Sequence, residues 1–305
     1  MTGNKKNILK GEIILFMVAV LWGSCFIFQK KGMDYIGPYT LGTFRFTLGG
    51  LVLLPIIKLF SKSGTEKPDF QKVISNRKSL WQGGVLCGVA LFFAATLQQV
   101  GLVYTTAGKA AFLTSMQIVV VAIAGIIIVK KASRNTIIGM ILALSGMYLL
   151  SIQSGVSINF GDILELSGSL FWGAQILFID KFAKQVDNMK LSFIQFIVAG
   201  GLSAVGMFIF EKPNIKDIYL CAVPILYTAI IEVAICYTLQ IIAQKYVPPV
   251  IAAVILSLES VFAAIFGMIF LKEILTSKEL TGMVLMLIAV VIIQIPAKEN
   301  DKKNN

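Results

Sequence analysis

The chain has 305 residues; 57% are hydrophobic, 26 glycines stand beside them, and only 14% are charged. Soluble domains average about 45–50% apolar with glycine included and about 25% charged, so the composition excludes an ordinary soluble enzyme and excludes disorder. The net charge is +11 and histidine is absent, which removes the usual general base, the commonest metal ligand and the neutral-pH switch.

In chain order the sequence predicts ten apolar runs, each near the roughly 20 residues that a bilayer core requires of a helix. The first, 12–30, follows Lys5, Lys6 and Lys10 and holds Trp22 and Gly23 deep inside it. Its Trp22-Gly23-Ser24-Cys25 faintly resembles a lipoprotein cleavage box, but a matching segment later in the chain makes it part of the fold. The second, 39–60, carries Arg45; the third, 80–103, carries Gln98 and a Gly84-x-x-x-Gly88 match, a weak signal for close helix approach. The fourth, 108–129, opens on Lys109 and has Gln117 near its middle; the fifth is 135–152. The sixth, 162–180, holds Trp172; the seventh is 190–210; the eighth, 218–241, holds Glu232 and Gln240; the ninth, 249–271, holds Glu259; the tenth is 277–295. The runs are too long for barrel strands of about 9–11 residues. The four cysteines (Cys25, Cys87, Cys221, Cys236) lie singly within apolar runs, so they read as packing residues, and no metal or other cofactor is expected.

Lysine and arginine placement sets the orientation. With the N-terminus inside, nineteen of the 27 fall on inside segments and seven on outside connections, while Arg45 lies within a span. Both termini are therefore expected in the cytoplasm of a cell-membrane protein. The positive charge reads as an orientation signal, and no nucleic-acid partner is expected.

The sequence repeats. Residues 96–131 and 238–273 agree at thirteen of 36 positions with a constant offset of 142, including Thr96-Leu97-Gln98 with Thr238-Leu239-Gln240, Ser115 with Ser257 and Gly125 with Gly267. The front parts align at an offset of 150: Trp22-Gly23 with Trp172-Gly173, Phe46 with Phe196, Gly50 with Gly200. Residues 1–152 and 153–305 then form two repeats of five spans each. Because five is odd, the second repeat enters the membrane in the opposite sense, so the expected fold is an all-α integral membrane protein of ten transmembrane helices in two inverted five-helix repeats. Inverted repeats are the architecture of secondary transporters, with the site near the midplane between halves.

Each ionisable residue in a span needs a reason, since insertion of one at mid-bilayer costs about 2.5–3.5 kcal/mol. Glu259 lies about 15 Å into its span, at the midplane, and Glu232 is at similar depth. They read as cavity carboxylates binding a substrate ammonium or a proton, or as protonated acids bonded to a neighbouring helix. Gln117, the repeat-mate of Glu259, reads as a polar partner across the cavity or as interhelical glue. Gln98 and Gln240 read as gate residues or helix glue. Arg45, whose repeat-mate is Gln195, pairs with a carboxylate, steers anions or snorkels. Lys109 meets a substrate carboxylate at the cavity mouth or reaches headgroups. Trp22 and Trp172 form an aromatic wall that stacks on the substrate, or pack beside Gly23 and Gly173.

Leu21-Trp22-Gly23-Ser24, Phe44-Arg45-Phe46, the run Tyr104–Thr114 (YTTAGKAAFLT) and Leu256-Ser257-Leu258-Glu259 followed by Lys272-Glu273 resemble the EamA family of the drug/metabolite transporter superfamily. The resemblance spans nearly the whole chain. It implies a basket of ten helices around a cavity lined by spans 1, 3, 4, 6, 8 and 9, with spans 5 and 10 at homodimer contacts, and small metabolites such as amino acids as substrates, often exported. Ser260 stands where many members have proline, and Gln117 where they often have apolar or aromatic residues. The expected function is a secondary-active carrier of a small metabolite, working by alternating access. No GxxxxGK[ST] loop occurs, so the chain is expected to have no ATPase of its own; coupling to protons rests on Glu259 and Glu232. A nucleotide-sugar or cationic-drug carrier is the alternative within transporters. A membrane-embedded enzyme or a sensor or assembly subunit, each short of the groups or domain it needs, are the alternatives outside them.

Overall fold

The structure is a computed structural model and describes residues 2–62, 76–105, 107–129, 134–151, 159–271 and 275–294. Among these residues regular structure is entirely helical. Apolar chain in lipid must satisfy its backbone groups internally, and helices do so within one segment. The elements are α1 (Thr2–Met33), α2 (Pro38–Lys62), α3 (Arg77–Tyr104), α4 (Ala107–Thr114), α5 (Gln117–Val129), α6 (Arg134–Ser151), α7 (Phe160–Phe182) and α8 (Asn188–Phe210). After them come α9 (Ile215–Leu220), α10 (Ala222–Tyr227), a π-helical stretch (Thr228–Tyr237), α11 (Thr238–Gln244), α12 (Pro249–Leu256), α13 (Glu259–Leu271) and α14 (Ser277–Gln294). Seven stretches are long and apolar enough to cross a membrane: Lys5–Met33, Pro38–Leu59, Arg77–Tyr104, Phe160–Phe182, Asn188–Phe210, Ala222–Gln244 and Pro249–Phe270. Their outward faces expose large apolar side chains such as Val103, Phe208 and Phe270, a surface suited to lipid rather than water.

Side chains at the helix starts satisfy backbone donors that the first turn leaves over. Asn76 accepts from the Lys78 amide, Asp187 from those of Met189 and Lys190, and Asn159 forms a reciprocal box with Asp162. One cap joins distant elements. Glu211, just past α8, accepts from the Tyr39 and Thr40 amides at 2.8 and 2.7 Å, so the end of α8 is fastened to the start of α2.

The packing maps onto itself when the halves are exchanged. α6 lies along α14, and α2 along α8. α1 packs on α13 as α7 packs on α4 and α5, and α3 packs on α7 and α8 as α10, the π-helical stretch and α11 pack on α1 and α2. The α6–α14 pair is antiparallel: Gly139, early in α6, touches Ala289 and Ile293 late in α14, while Gly146 touches Gly282. Two further glycines decide how closely the halves approach. A Cβ on Gly23 would lie 2.6 Å from Phe262 Cβ and 2.9 Å from the Glu259 carbonyl oxygen; a Cβ on its mate Gly173 would lie 2.8 Å from Val120 Cβ and 3.5 Å from the Gln117 carbonyl oxygen. The central core gathers buried residues of α1, α2, α3, α8, α11, α12 and the π-helical stretch around Trp22 and Tyr237.

Two expected spans are interrupted. The fourth divides into α4 and α5 at Ser115-Met116, and the ninth into α12 and α13 at Ser257-Leu258, the repeat-equivalent place. Both breaks tighten into bonds between residues three apart: Met116 N to Leu113 O (3.1 Å) and Ile118 N to Ser115 O (3.0 Å), Leu258 N to Ile255 O (3.1 Å) and Ser260 N to Ser257 O (3.3 Å). The eighth is α-helical only at its ends. The basic connection over 63–75 and Lys272-Glu273 lie outside the described residues.

Candidate substrate cavity

The broken helices bring α5 and α13 to the centre of the bundle with Gln117 and Glu259 as their first residues. An acidic side chain in a helix's first turn complements its dipole. Serine hydroxyls stabilise the second break: Ser257 donates to the Val254 carbonyl and Ser260 to the Ser257 carbonyl, both at 2.8 Å. Ser260 thus holds the bend by back-bonding to the preceding turn, a known way to bend a helix.

Between the breaks lies a cavity of about 30 Å³. It is narrow and its walls nearly meet. Five amides line it (Gln29, Gln98, Gln117, Gln175, Gln240), with the carboxylates Glu232 and Glu259 and the aromatics Trp22, Phe26, Trp172 and Tyr237. Thr114, Ile176 and Leu256 complete it. Ten of these fourteen are repeat-mates: Trp22 with Trp172, Phe26 with Ile176, Gln98 with Gln240, Thr114 with Leu256 and Gln117 with Glu259. The lining is therefore two-fold at its base.

The four unmatched positions break that symmetry. Glu232 and Tyr237 both come from the π-helical stretch, whereas α3, its counterpart, is a regular α-helix. Long π-helical runs are rare, and π-distortions are common at functional sites. Tyr237 stands between the tryptophans, its ring 4.9 Å from Trp22 and 6.2 Å from Trp172, nearly parallel to the latter at 8°. Glu232 receives Arg45 Nη1 at 3.0 and 3.3 Å, and both side chains are buried. Gln99 donates to Gln29, which lines the cavity with Glu232. On the other side a neutral relay replaces the ion pair. Gln240 donates to Gln175, and Gln175 donates to Gln195, the repeat-mate of Arg45.

Several polar atoms around the cavity have no partner. The indole N–H groups of Trp22 and Trp172 and the Gln240 Oε1 are buried without one. Buried polar groups are nearly always hydrogen-bonded, so unpartnered ones around a cavity are groups that a ligand can satisfy. No salt bridge reaches Glu259 among the described residues.

Seven of the nine residues singled out in the sequence meet here: Trp22, Gln98, Gln117, Trp172, Glu232, Gln240 and Glu259. Arg45 sits behind the wall, held by Glu232 and lying over the Phe46 ring at 4.8 Å. The Lys109 side chain lies outside the described residues. Sequence reading missed Phe26, Gln29, Gln175, Tyr237 and Thr114. Trp22, Phe26 and Gln29 are spaced four and three apart, as are Trp172 and Gln175 at three, so helical spacing from the tryptophans was the signal for three of them.

An all-helical, multi-pass membrane protein whose two broken helices meet at an internal polar cavity has the form of a membrane transporter. Residues 9–152 match the EamA-like transporter family, and residues 159–295 match it a second time; the chain belongs to that family. A protein of Archaeoglobus fulgidus described as an uncharacterized transporter is 35% identical over 290 residues, covering 94% of this chain and 86% of its own. A second Archaeoglobus fulgidus protein of the same description is 26% identical over 188 residues, covering 60% of this chain and 62% of its own. A solved crystal structure shares the fold with a TM-score of 0.75 at 15% identity, over 94% of this chain and 97% of that one.

Proposed function

We propose that this transporter is a secondary carrier of a small amine-bearing metabolite, such as an amino acid, working by alternating access as an exporter. The observation that carries the reading is the cavity at the matched breaks, with Glu259 beside an aromatic cluster and without a salt bridge among the described residues. A carboxylate and aromatic faces together recognise an ammonium group. The unpartnered indole N–H groups offer donors to the acceptor end of the same molecule.

In this reading the seven long apolar helices are joined by α4–α5, α6 and α14 to give ten spans. Residues 1–152 and 153–305 are inverted repeats, with both termini cytoplasmic. Exchanging the conformations of two such halves turns an outward-facing site inward. The narrow cavity fits an occluded state in that cycle. Glycines at 23 and 173 seat each half's first span on the other half's broken helix, so the breaks move with the halves. Spans 5 and 10 remain the proposed homodimer face. A nucleotide-sugar substrate is disfavoured: among the described residues no cation lines the cavity to meet a diphosphate, and Arg45 is already held by Glu232. Cationic drugs are the second reading, favoured by the same aromatic and carboxylate lining.

Counterflow in proteoliposomes tests this. Vesicles are loaded with amino acids, sugar phosphates, nucleotide sugars or cationic drugs, and exchange is followed with and without Glu259→Gln. Amino-acid exchange reduced at least tenfold in the variant is expected. Exchange confined to sugar phosphates or nucleotide sugars, or exchange untouched by Glu259→Gln, overturns the assignment.

A further inference from the structure

A second buried carboxylate lies outside the cavity wall. Glu165, on α7, is fully buried. Its Oε2 accepts from Thr114 Oγ1 at 2.9 Å, and its Oε1 has no partner. Room for it comes from Gly101 of α3, where a Cβ would lie 2.7 Å from that oxygen. Thr114 is the last residue of α4, at the break, and lines the cavity. Thr114 therefore touches both the cavity and Glu165.

The polar path continues away from the cavity. One helical turn before Glu165, the buried Asp162 accepts from Thr105 Oγ1 at 2.7 Å and from the Asn159 amide at 2.7 Å. Asn159 and Phe160 are exposed at the end of the bundle where α7 begins. Among the described residues, Asp162 is the other titratable group facing Glu165. From the packed elements, α3 presents Gly101 and α4 presents Thr114. α5, α11 and α12, which also pack on α7, contain no ionisable side chain.

We propose that Glu165 is a proton-binding site that reports its protonation state to the cavity through the Thr114 hydroxyl. An ionised carboxylate can only accept, so the Thr114 proton points to Glu165 and away from the cavity. A proton arriving from water at the α7 end along the Asp162–Thr105 path binds Glu165. The neutral carboxyl then donates to Thr114 Oγ, and the Thr114 hydroxyl proton turns toward the cavity to meet an acceptor there. Loss of the proton to water reverses the two bonds. Among the described residues no cation faces this sealed carboxyl, and charge is expensive out of water, which favours the neutral state. The cavity half of this inference rests on the reading of the cavity as the substrate site; the proton-binding half does not.

The experiment separates them. The full chain in proteoliposomes is treated with dicyclohexylcarbodiimide, an apolar reagent that modifies protonated buried carboxyls, across a series of pH values, and the modified residues are located by mass spectrometry. Glu165 is expected to be modified, with labelling that falls as pH rises. Thr114→Val deletes the donor to the ionised form. The bond to the ionised carboxylate is worth about 1 kcal/mol more than the bond to the neutral carboxyl, which Thr114→Val also removes, so the half-labelling pH should move up by about half a unit to one unit. Absence of label on Glu165 at every pH, or an unchanged profile in Thr114→Val, overturns the proton site. Neither readout requires a transported substrate. Where counterflow is observed, Glu165→Gln should flatten its pH dependence; an unchanged pH profile there overturns the link to the cavity.

Discussion

Arg45 and Glu232 show what a residue in a span needs in order to be there. Each alone is a charge in an apolar interior, whereas together they form a buried pair at 3.0 Å. Such a pair is not a large net stabiliser, but removing one partner leaves the other uncompensated, at a cost of about 3–5 kcal/mol. Arg45→Leu is therefore expected to lower the thermal unfolding temperature in detergent sharply, and Arg45→Leu with Glu232→Leu to recover most of the loss. If the double variant melts no higher than the single, the two do not act as a pair. The sequence displayed both charges but not their pairing, since they lie 187 residues apart and the repeat matches Arg45 with Gln195 and Glu232 with Ala90. Residues visible through the repeat, such as the tryptophans and Gln117 with Glu259, reached the cavity. Tyr237, whose counterpart is Ala95, sent no such signal.

At the scale of elements, hydropathy predicted helical runs, seven of which are long and apolar enough to cross a membrane, and read their interiors poorly. The breaks fall at Thr114-Ser-Met-Gln117 and Leu256-Ser-Leu-Glu259, with neither proline nor glycine to mark them. A three-residue bond pattern bends the chain at both, with seryl back-bonding at the second, and apolar composition runs straight through. The π-helical stretch is equally silent in sequence, because its residues are ordinary helix formers in lipid. Glycine positions carry more information once the packing is known. Gly23 seats α1 against the backbone of α13, while Gly201 has nothing within 4 Å of an added Cβ. Gly23→Ala must push two helices apart and should destabilise by about 1–3 kcal/mol, as overpacking does. Gly201→Ala should be neutral or stabilising by up to about 1 kcal/mol, from helix propensity alone. Melting of the two variants side by side is the check, and equal behaviour would mean that the α1–α13 contact is looser than the structure has it.

For the whole molecule the repeat was the most legible feature, because tryptophan, glutamine and glycine stayed in register where generic apolar residues would not. The exchange of halves recurs in the packing, in the two breaks and in ten of the lining residues. What the sequence could not show is where the halves differ: an ion pair on one side, a glutamine relay on the other, and the π-helical stretch in the second half alone. Inversion itself has a direct test. Tyr35 and Gln185 are repeat-mates at an offset of 150, and both are exposed in connections after the first span of their half. Parallel repeats would place them on one side of the membrane; inverted repeats place them on opposite sides. The four native cysteines are buried, so an impermeant maleimide should leave the parent chain unlabelled. Tyr35→Cys is expected to react from outside intact cells and Gln185→Cys only after the membrane is opened. Lys212→Cys, beside the Glu211 that caps α2, should follow Tyr35→Cys, because the end of α8 and the start of α2 are one place in the fold. Labelling of Tyr35→Cys and Gln185→Cys from the same side would exclude inversion, and with it the carrier cycle built on exchanging the halves.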